Sequence, residues 1–320
     1  MPQTLPASLR ERLRRDEPLW RHTTFRIGGP ADLFLAVENE EELIAAVRWA
    51  REQSLPYLLL GGGSNVLVAD EGVRGLVIAN RIHGWRQGRG ARPCAPTGRF
   101  RISNFEFPSC LLHPASCVPL GRLARAAIKL GWAGLEWAVG IPGTVGGAIV
   151  GNAGAHGGCV ADNLVAVRVL DEDGKVREVP AAELGFGYRR SVFKKQSTRD
   201  EGRAVILSAQ FVLRAGDREE LEARAAENLA WRRRTQPRGL SAGSVFRNPP
   251  GDSAGRLIEA VGLKGACRGG AQISEKHANF IVNRGGATAS DVLALIDLAR
   301  ERVWQRFGLT LEPEIEVVGL

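Results

Sequence analysis

Between residues 140 and 157 the chain gives up most of its side-chain volume. From Gly140 to Gly154 it carries six glycines together with Pro142, Thr144 and Asn152. A core segment of this kind would lose packing, and each glycine adds backbone entropy that folding must remove. Close approach of the backbone to a large, flat ligand explains the composition better, with Thr144 and Asn152 supplying a few directional hydrogen bonds. A second run, Gly61-Gly62-Gly63-Ser64-Asn65, lies between the apolar stretches 55–60 and 66–68. Its amides suit an anion nest for a pyrophosphate, with a plain glycine turn as the alternative. No helix follows it, no G-x-G-x-x-G occurs and no G-K-[ST] is present, which argues against Rossmann and Walker sites. Two such loops on successive subdomains suggest a dinucleotide lying between them.

The segments around these loops are periodic. Residues 31–37 read as a strand, followed by a helix over 40–53 with Leu43, Val47 and Ala50 on one face and acids in its first turn. Strands are expected at 55–60, 66–68 and 75–79, and a helix at 119–130 with Leu120, Leu123, Ala127 and Leu130 as its apolar stripe. Residues 165–170 and 176–179 flank Asp171-Glu172-Asp173-Gly174, a hairpin signal. A strand at 204–213 precedes a helix from 217 to about 234. The last part alternates a helix at 253–261, a strand at 278–282, a helix at 290–306 and a strand at 314–318. These segments predict an α+β chain with domains at 1–80, 81–216 and 217–320. Residues 85–116, rich in Arg, Pro and Ser, show neither period and read as an atypical insertion or a disordered loop.

Composition narrows the function. With 44% hydrophobic residues in 320, a sizeable core is affordable and global disorder is excluded. The longest weakly polar run is glycine-dominated and the N-terminus lacks an apolar core, so a membrane span or secretion is not expected and the cytoplasm is. The five cysteines, Cys94, Cys110, Cys117, Cys159 and Cys267, contain no C-x-x-C pair and read as reduced thiols. A site from Cys94, Cys110, His113 and Cys117 matches no zinc spacing, so no metal is expected. The net charge of +8 comes mainly from scattered arginines; the dense run Arg232-Arg233-Arg234 closes a helix, where cations complement the dipole. No aromatic-interleaved basic patch points to nucleic acid.

A series of motifs in order along the chain carries a resemblance. They are Thr24-Phe25-Arg26-Ile27-Gly28-Gly29-Pro30-Ala31, the two glycine runs, Gly187-Tyr188-Arg189-Arg190-Ser191-Val192-Phe193, and Ala242-Gly243-Ser244-Val245-Phe246-Arg247-Asn248-Pro249. Lys276-His277-Ala278-Asn279-Phe280-Ile281-Val282-Asn283 and Leu311-Glu312-Pro313-Glu314 complete the set. Over nearly the whole chain, apart from 85–116, these resemble the bacterial UDP-N-acetylenolpyruvoylglucosamine reductases. The short link after Ser191 looks like the second type, which lacks an extra substrate-covering loop. In the 85–116 stretch the family's short strand pair is unrecognisable, which implies weakened or absent FAD binding, with a sequencing or frame error as the equal alternative.

The resemblance implies the FAD-binding fold of the vanillyl-alcohol-oxidase superfamily, two α+β subdomains and a smaller α+β substrate domain. It implies NADPH-dependent, FAD-mediated reduction of an enolpyruvyl ether on a UDP-sugar. The cofactor residues it implies are Gly61, Gly62, Gly63, Ser64 and Asn65 in the first loop, and Ile141, Pro142, Gly143, Thr144, Gly146, Gly147, Asn152, Gly154 and Ala155 in the second. It places Ser244 as proton donor, with Arg189 and Glu314 beside it. Tyr188, Asn248, Lys264 and His277 would contact substrate. A serine is a weak acid, yet it suffices against an enolate-like carbon, which is a strong base. The bland readings are a turn cap for Ser244, a surface cation for Arg189 and an edge-strand carboxylate for Glu314. A monomer without nucleic-acid or membrane partners is expected. The alternatives are another FAD-dependent oxidase or dehydrogenase of a sugar or alcohol, and a non-enzymatic binder of anionic ligands or nucleic acid.

Overall fold

The computed structural model describes residues 5–89, 109–195 and 204–319. These group into two compact units, residues 1–81 with 231–320, and residues 82–230. Residues 1–80 of the expected three-part division thus share a unit with 231–320, while 217–230 fall in the other unit.

In the first unit β1 (Arg14–Pro18) and β2 (Pro30–Val37) pair antiparallel. The helix α1 (Glu40–Glu52) then leads to β3 (Tyr57–Leu60), β4 (Val66–Val68) and β5 (Val73–Asn80). The sheet order is β1-β2-β5-β3, with β5 parallel to both β2 and β3. Asn39 caps α1 by accepting from the Glu42 N–H at 2.9 Å, and Glu40, Glu41 and Glu42 fill the first turn against the dipole. Leu43, Ala46, Val47 and Ala50 make the buried stripe of α1, at the spacing of one helix face. All of β5 except Arg74 is buried, as a central strand covered on both faces should be.

The second unit carries a six-stranded sheet. Its members include β6 (Trp85–Arg89) and β7 (Ser109–Pro114), followed by the helices α2 (Leu120–Lys129) and α3 (Val145–Val150). The strands β8 (Leu164–Leu170), β9 (Val176–Pro180) and β10 (Val205–Ala215) complete the main path, in the order β9-β8-β10-β7-β6, while a short strand at Trp132–Ala133 pairs with β10. This corrects the reading of 85–116 as an insertion without structure. Its two ends pair antiparallel, Trp85 opposite Pro114 and Arg89 opposite Cys110, and so supply two strands of the sheet. Cys110, Leu112 and Pro114 point into the core while Ser109, Leu111 and His113 do not, a period of two hidden by the mixed polarity of both faces. Residues 90–108, with Cys94, lie outside the described residues.

The helix α4 (Arg218–Thr235) spans the boundary between the units. The chain then adds to the first unit α5 (Ala254–Ala260), the antiparallel strands β11 (Cys267–Arg268), β12 (Ala271–Ile273) and β13 (Ile281–Asn283), the helix α6 (Ala289–Phe307) and β14 (Glu316–Val318). β14 pairs parallel with β4, Glu316 opposite Val66, and this joins the end of the chain to its beginning. Leu257, Ile258, Val292, Leu295 and Val303 pack with Phe25, Ile27 and Leu67 in one core. No helix among the described residues is long and apolar enough to cross a membrane.

Asp70 fixes the start of α6. Its carboxylate accepts from the Ala289 N–H at 2.7 Å, the Ser290 N–H at 3.0 Å and the Ser290 hydroxyl at 2.8 Å. Burial pushes its pKa up, but these three donors outweigh it and hold the group below the ordinary carboxylate value. A depressed pKa contributes stability that is present above the unfolded value near pH ~4 and lost as the folded group takes up its proton. Asp70→Asn is expected to destabilise the protein by about 1 kcal/mol at pH 7. Thermal melts should show that difference shrinking as the pH falls below about 4.

Candidate active site

The first glycine loop connects β3 to β4. Gly63 sits at φ +60°, and a Cβ there would lie 2.2 Å from the His22 carbonyl oxygen and 2.9 Å from the Thr23 Cα. Glycine is therefore required by residues 22–23 beneath the loop, whatever lies above it. The Gly63 carbonyl accepts from the Thr24 N–H at 2.9 Å and the Asn65 carbonyl from the Glu316 N–H at 2.9 Å. The Asn65 side chain donates to the Glu314 carbonyl at 3.0 Å. No described residue accepts from the backbone N–H of Gly62, Gly63 or Ser64. A loop with the Gly63 and Asn65 carbonyls engaged and the amides of 62–64 available fits an anion such as a pyrophosphate.

Ser244 is brought beside this loop. Around it, the Glu314 N–H donates to the Val245 carbonyl at 2.7 Å and the Arg247 N–H to the Glu312 carbonyl at 2.9 Å, so 244–247 runs along 312–315. On the other edge the Val245 N–H donates to the Asn279 carbonyl at 2.9 Å. The Asn279 side chain accepts from the Phe246 N–H at 2.9 Å and donates to its carbonyl at 2.8 Å. Ser244 is half-buried, follows Gly243 at φ +82°, and no described residue hydrogen-bonds its hydroxyl. Asn65, Glu314 and Val245 thus belong to one hydrogen-bonded assembly, with Ser244 directly before Val245.

Asn279 was not among the expected site residues. Its signal was a carboxamide set between Ala278 and Phe280 in an apolar run; at 3% exposure it has to satisfy every polar atom it carries. Thr24 was also missed; its hydroxyl donates to the Ser241 carbonyl at 2.8 Å and so ties the approach to Ser244 to the segment under the glycine loop.

Three expected substrate residues surround α5. Asn248 accepts from the Ala254 N–H at 3.1 Å, ahead of the Ser253 cap of α5. Lys264 pairs with Glu259 at 2.7 Å. His277 Nδ1 accepts from the Asn279 N–H at 3.2 Å, and its ring meets Phe280 edge-on at 5.1 Å. Burial, and then the Lys264 ammonium, hold the His277 pKa below its ordinary value, so the ring is neutral near pH 7.

In the second unit Thr144 caps α3, its hydroxyl oxygen accepting from the Gly147 N–H at 3.4 Å. The glycines of this run divide in two. A Cβ at Gly154 would lie 2.8 Å from the Gly158 carbonyl and one at Gly146 would lie 3.0 Å from the Ser116 Cβ, so both answer to protein packing. At Gly147 a Cβ would meet only the Thr144 hydroxyl, at 3.5 Å. The view that the whole run is glycine-rich for a ligand is corrected accordingly. The Asn152 side chain, expected among the cofactor residues, braces the loop: it donates to the Gly187 carbonyl at 3.0 Å and accepts from the Ala161 N–H at 3.1 Å. Gly143 accepts from the Leu120 N–H at 3.0 Å, Ala155 pairs with Gly158, Ile141 is half-buried and Pro142 exposed.

Arg189 lies in this unit at φ +52°, donates to the Gly154 carbonyl at 3.3 Å and stacks over the Tyr188 ring at 5.7 Å. Tyr188 is 61% exposed. The turn at 187–190 is therefore tied to the second glycine run through both Asn152 and Arg189. Cys110 and Cys117 are buried, and no group of three or more His, Cys, Asp or Glu side chains among the described residues is placed to hold a metal.

Residues 31–88 and 111–180 match the family described as FAD binding domain, which defines the class: a flavoprotein with the α+β FAD-binding fold. Residues 236–318 match UDP-N-acetylenolpyruvoylglucosamine reductase, C-terminal domain. The UDP-N-acetylenolpyruvoylglucosamine reductase of Heliobacterium modesticaldum is 45% identical over 95% of this chain and 90% of its own. That of a Synechococcus strain is also 45% identical, over 98% of this chain and 96% of its own. The crystal structure of the corresponding enzyme from Thermus caldophilus superposes with a TM-score of 0.74 at 37% identity, covering 96% of this chain and 98% of that one. The chain belongs to the UDP-N-acetylenolpyruvoylglucosamine reductase family.

The two classes of glycine predict opposite responses. Gly154→Ala is expected to lower stability by about 1–3 kcal/mol, because the new methyl meets a backbone carbonyl. Gly147→Ala, inside α3 with open space, should leave stability unchanged or raise it by up to about 1 kcal/mol. Denaturant titration of the two variants reads both signs.

Proposed function

We propose that this chain reduces the enolpyruvyl ether of UDP-N-acetylglucosamine to UDP-N-acetylmuramate, with Ser244 as the proton donor. The observation that carries the reading is the assembly in the first unit in which Asn65, next to the open amides of residues 62–64, bonds the Glu314 carbonyl, and the Glu314 N–H bonds Val245, next to Ser244. FAD, when bound, supplies the two-electron relay between NADPH and the substrate. The amides of Gly62, Gly63 and Ser64 suit its pyrophosphate, and Gly147 offers a second close approach.

Reduction of the enol ether needs a hydride at one carbon and a proton at the other. The carbon next to the substrate carboxylate becomes a strong base, so the weakly acidic Ser244 hydroxyl is adequate if it is held in place. The clamp of Asn279 and the strand at 312–315 provides that hold. Glu314 polarises the substrate carboxyl group or assists proton delivery. Arg189 pairs with the carboxylate as its charge grows, where a planar guanidinium binds two oxygens at once. Tyr188, Asn248, Lys264 and His277 are read as substrate contacts. The chain is further read as a cytoplasmic monomer without nucleic-acid or membrane partners; its dispersed arginines support the last two points.

The purified protein should be yellow, bleach with NADPH and recolour anaerobically on adding the enolpyruvyl UDP-sugar. Oxidation of an alcohol with electrons passed to oxygen would overturn the reading. Ser244→Ala should leave reduction by NADPH nearly intact and slow anaerobic reoxidation by the substrate by roughly 10²–10⁴-fold. Equal loss in both half-reactions, followed by stopped-flow absorbance, would remove Ser244 from the role. Gly147→Ala should weaken FAD binding without loss of stability.

A further inference from the structure

Beneath the first glycine loop lies a hydrogen-bonded array that the proposed chemistry does not use. Glu17, on β1, is 9% exposed, and its Oε1 lies 2.9 Å from His22 Nε2. The other ring nitrogen, Nδ1, lies 3.1 Å from an Arg81 guanidinium nitrogen. A guanidinium only donates, so Nδ1 must accept and the ring proton sits on Nε2, from which it is donated to Glu17. The array is thus directional, Arg81 to His22 to Glu17. The His22 hydrogen bond lowers the Glu17 pKa and outweighs burial; the exposed Arg14, 3.5 Å from Glu17 Oε2, acts the same way.

The His22 ring is pinned further by stacking on Phe34 of β2, centroids 4.4 Å apart. The Arg81 backbone is fixed by its N–H donating to the Val37 carbonyl at 2.8 Å. All of this holds the backbone of residues 22–24 at one height. That backbone is the floor of the loop: the His22 carbonyl fills the space where a Gly63 side chain would be, and the Thr24 N–H holds the Gly63 carbonyl.

We infer that Glu17, His22 and Arg81 are positioning residues for FAD: by fixing the floor under Gly63 they set the direction of the amides at 62–64, and with it the affinity for the pyrophosphate. The inference rests on the reading that this loop holds FAD. None of the three touches the reacting groups, so their effect falls on affinity. A carbonyl packed directly under Gly63 leaves the loop no room to sink when the floor moves.

The test is FAD binding to the full-length chain stripped of flavin, followed by quenching of flavin fluorescence, beside thermal melts. His22→Gln keeps a donor for Glu17 and loses the acceptor facing Arg81; His22→Asn keeps that acceptor and loses the donor. Each is expected to raise the FAD dissociation constant roughly tenfold. Arg81→Gln, at the partly exposed end of the array, should do the same and add nothing in the His22→Gln background, because both remove one link. Gly62→Asp, which places a carboxylate at the exposed position of the loop, reports on the loop itself. Weakened binding in Gly62→Asp with unchanged affinity in the His22 and Arg81 variants overturns the positioning role and leaves the loop reading standing. Unchanged affinity in all of them removes the loop reading and the inference together. A fall in melting temperature with unchanged affinity in the folded His22 and Arg81 variants assigns them to stability alone and likewise overturns the inference.

Discussion

The parallel pairing of β14 with β4 is the constraint on which the first unit depends. It brings the last residues of the chain against the first glycine loop, with Glu316 and Asn65 exchanging a backbone hydrogen bond and the Asn65 side chain reaching the Glu314 carbonyl. Parallel neighbours cannot be joined by a tight turn. Here the connection is most of the chain, and the closure entropy of so long a loop has to be met by other contacts. Asp70 on the start of α6 and the shared core of Phe25, Ile27 and Leu67 with α5 and α6 are those contacts. The first glycine loop and the segment around Ser244, far apart in sequence, come together because of them.

In the role proposed for it, Ser244 is a weak acid that has to be made dependable by its position. A hydroxyl gains little from a shifted pKa, so what matters is that it stands at a fixed point and is not engaged elsewhere. Fixed position comes from Asn279, whose carboxamide satisfies both polar groups of Phe246 at once, and from the strand at 312–315 on the other edge. A buried carboxamide with its partners satisfied is costly to move, because any displacement leaves polar groups unpaired. The neutral His277 beside Asn279 fits the same pattern: a charged ring would have to be solvated next to the Lys264 ammonium.

Glycine does two kinds of work in this chain. At Gly63 and Gly154 it lets one stretch of backbone lie on another, and a methyl group would meet a carbonyl oxygen. At Gly147 the space is open, and a methyl group would meet only the Thr144 hydroxyl. Composition alone treats all of these alike. Asn152 and Thr144 carry the same lesson, since their polar atoms turn inward to brace the loop and cap α3.

Much of the fold was legible because periodicity is local. Leu43, Val47 and Ala50 mark α1, and Asp171 to Gly174 mark the hairpin of β8 and β9, whatever surrounds them. The strand β7 was not legible: Cys110, Leu112 and Pro114 alternate with Ser109, Leu111 and His113, and Leu111 on the less buried face hides the alternation. The ordered motifs fixed the family and named Ser244, Arg189 and Glu314 as candidates. The sequence by itself determined the elements, the family and the residue types available for chemistry, since these follow from short-range pattern and composition. Only the tertiary structure decided which glycines face protein and which face open space, which asparagine clamps Ser244, and that Glu17, His22 and Arg81 lie under the loop. Those facts depend on which distant backbones come into contact, and no local pattern encodes that.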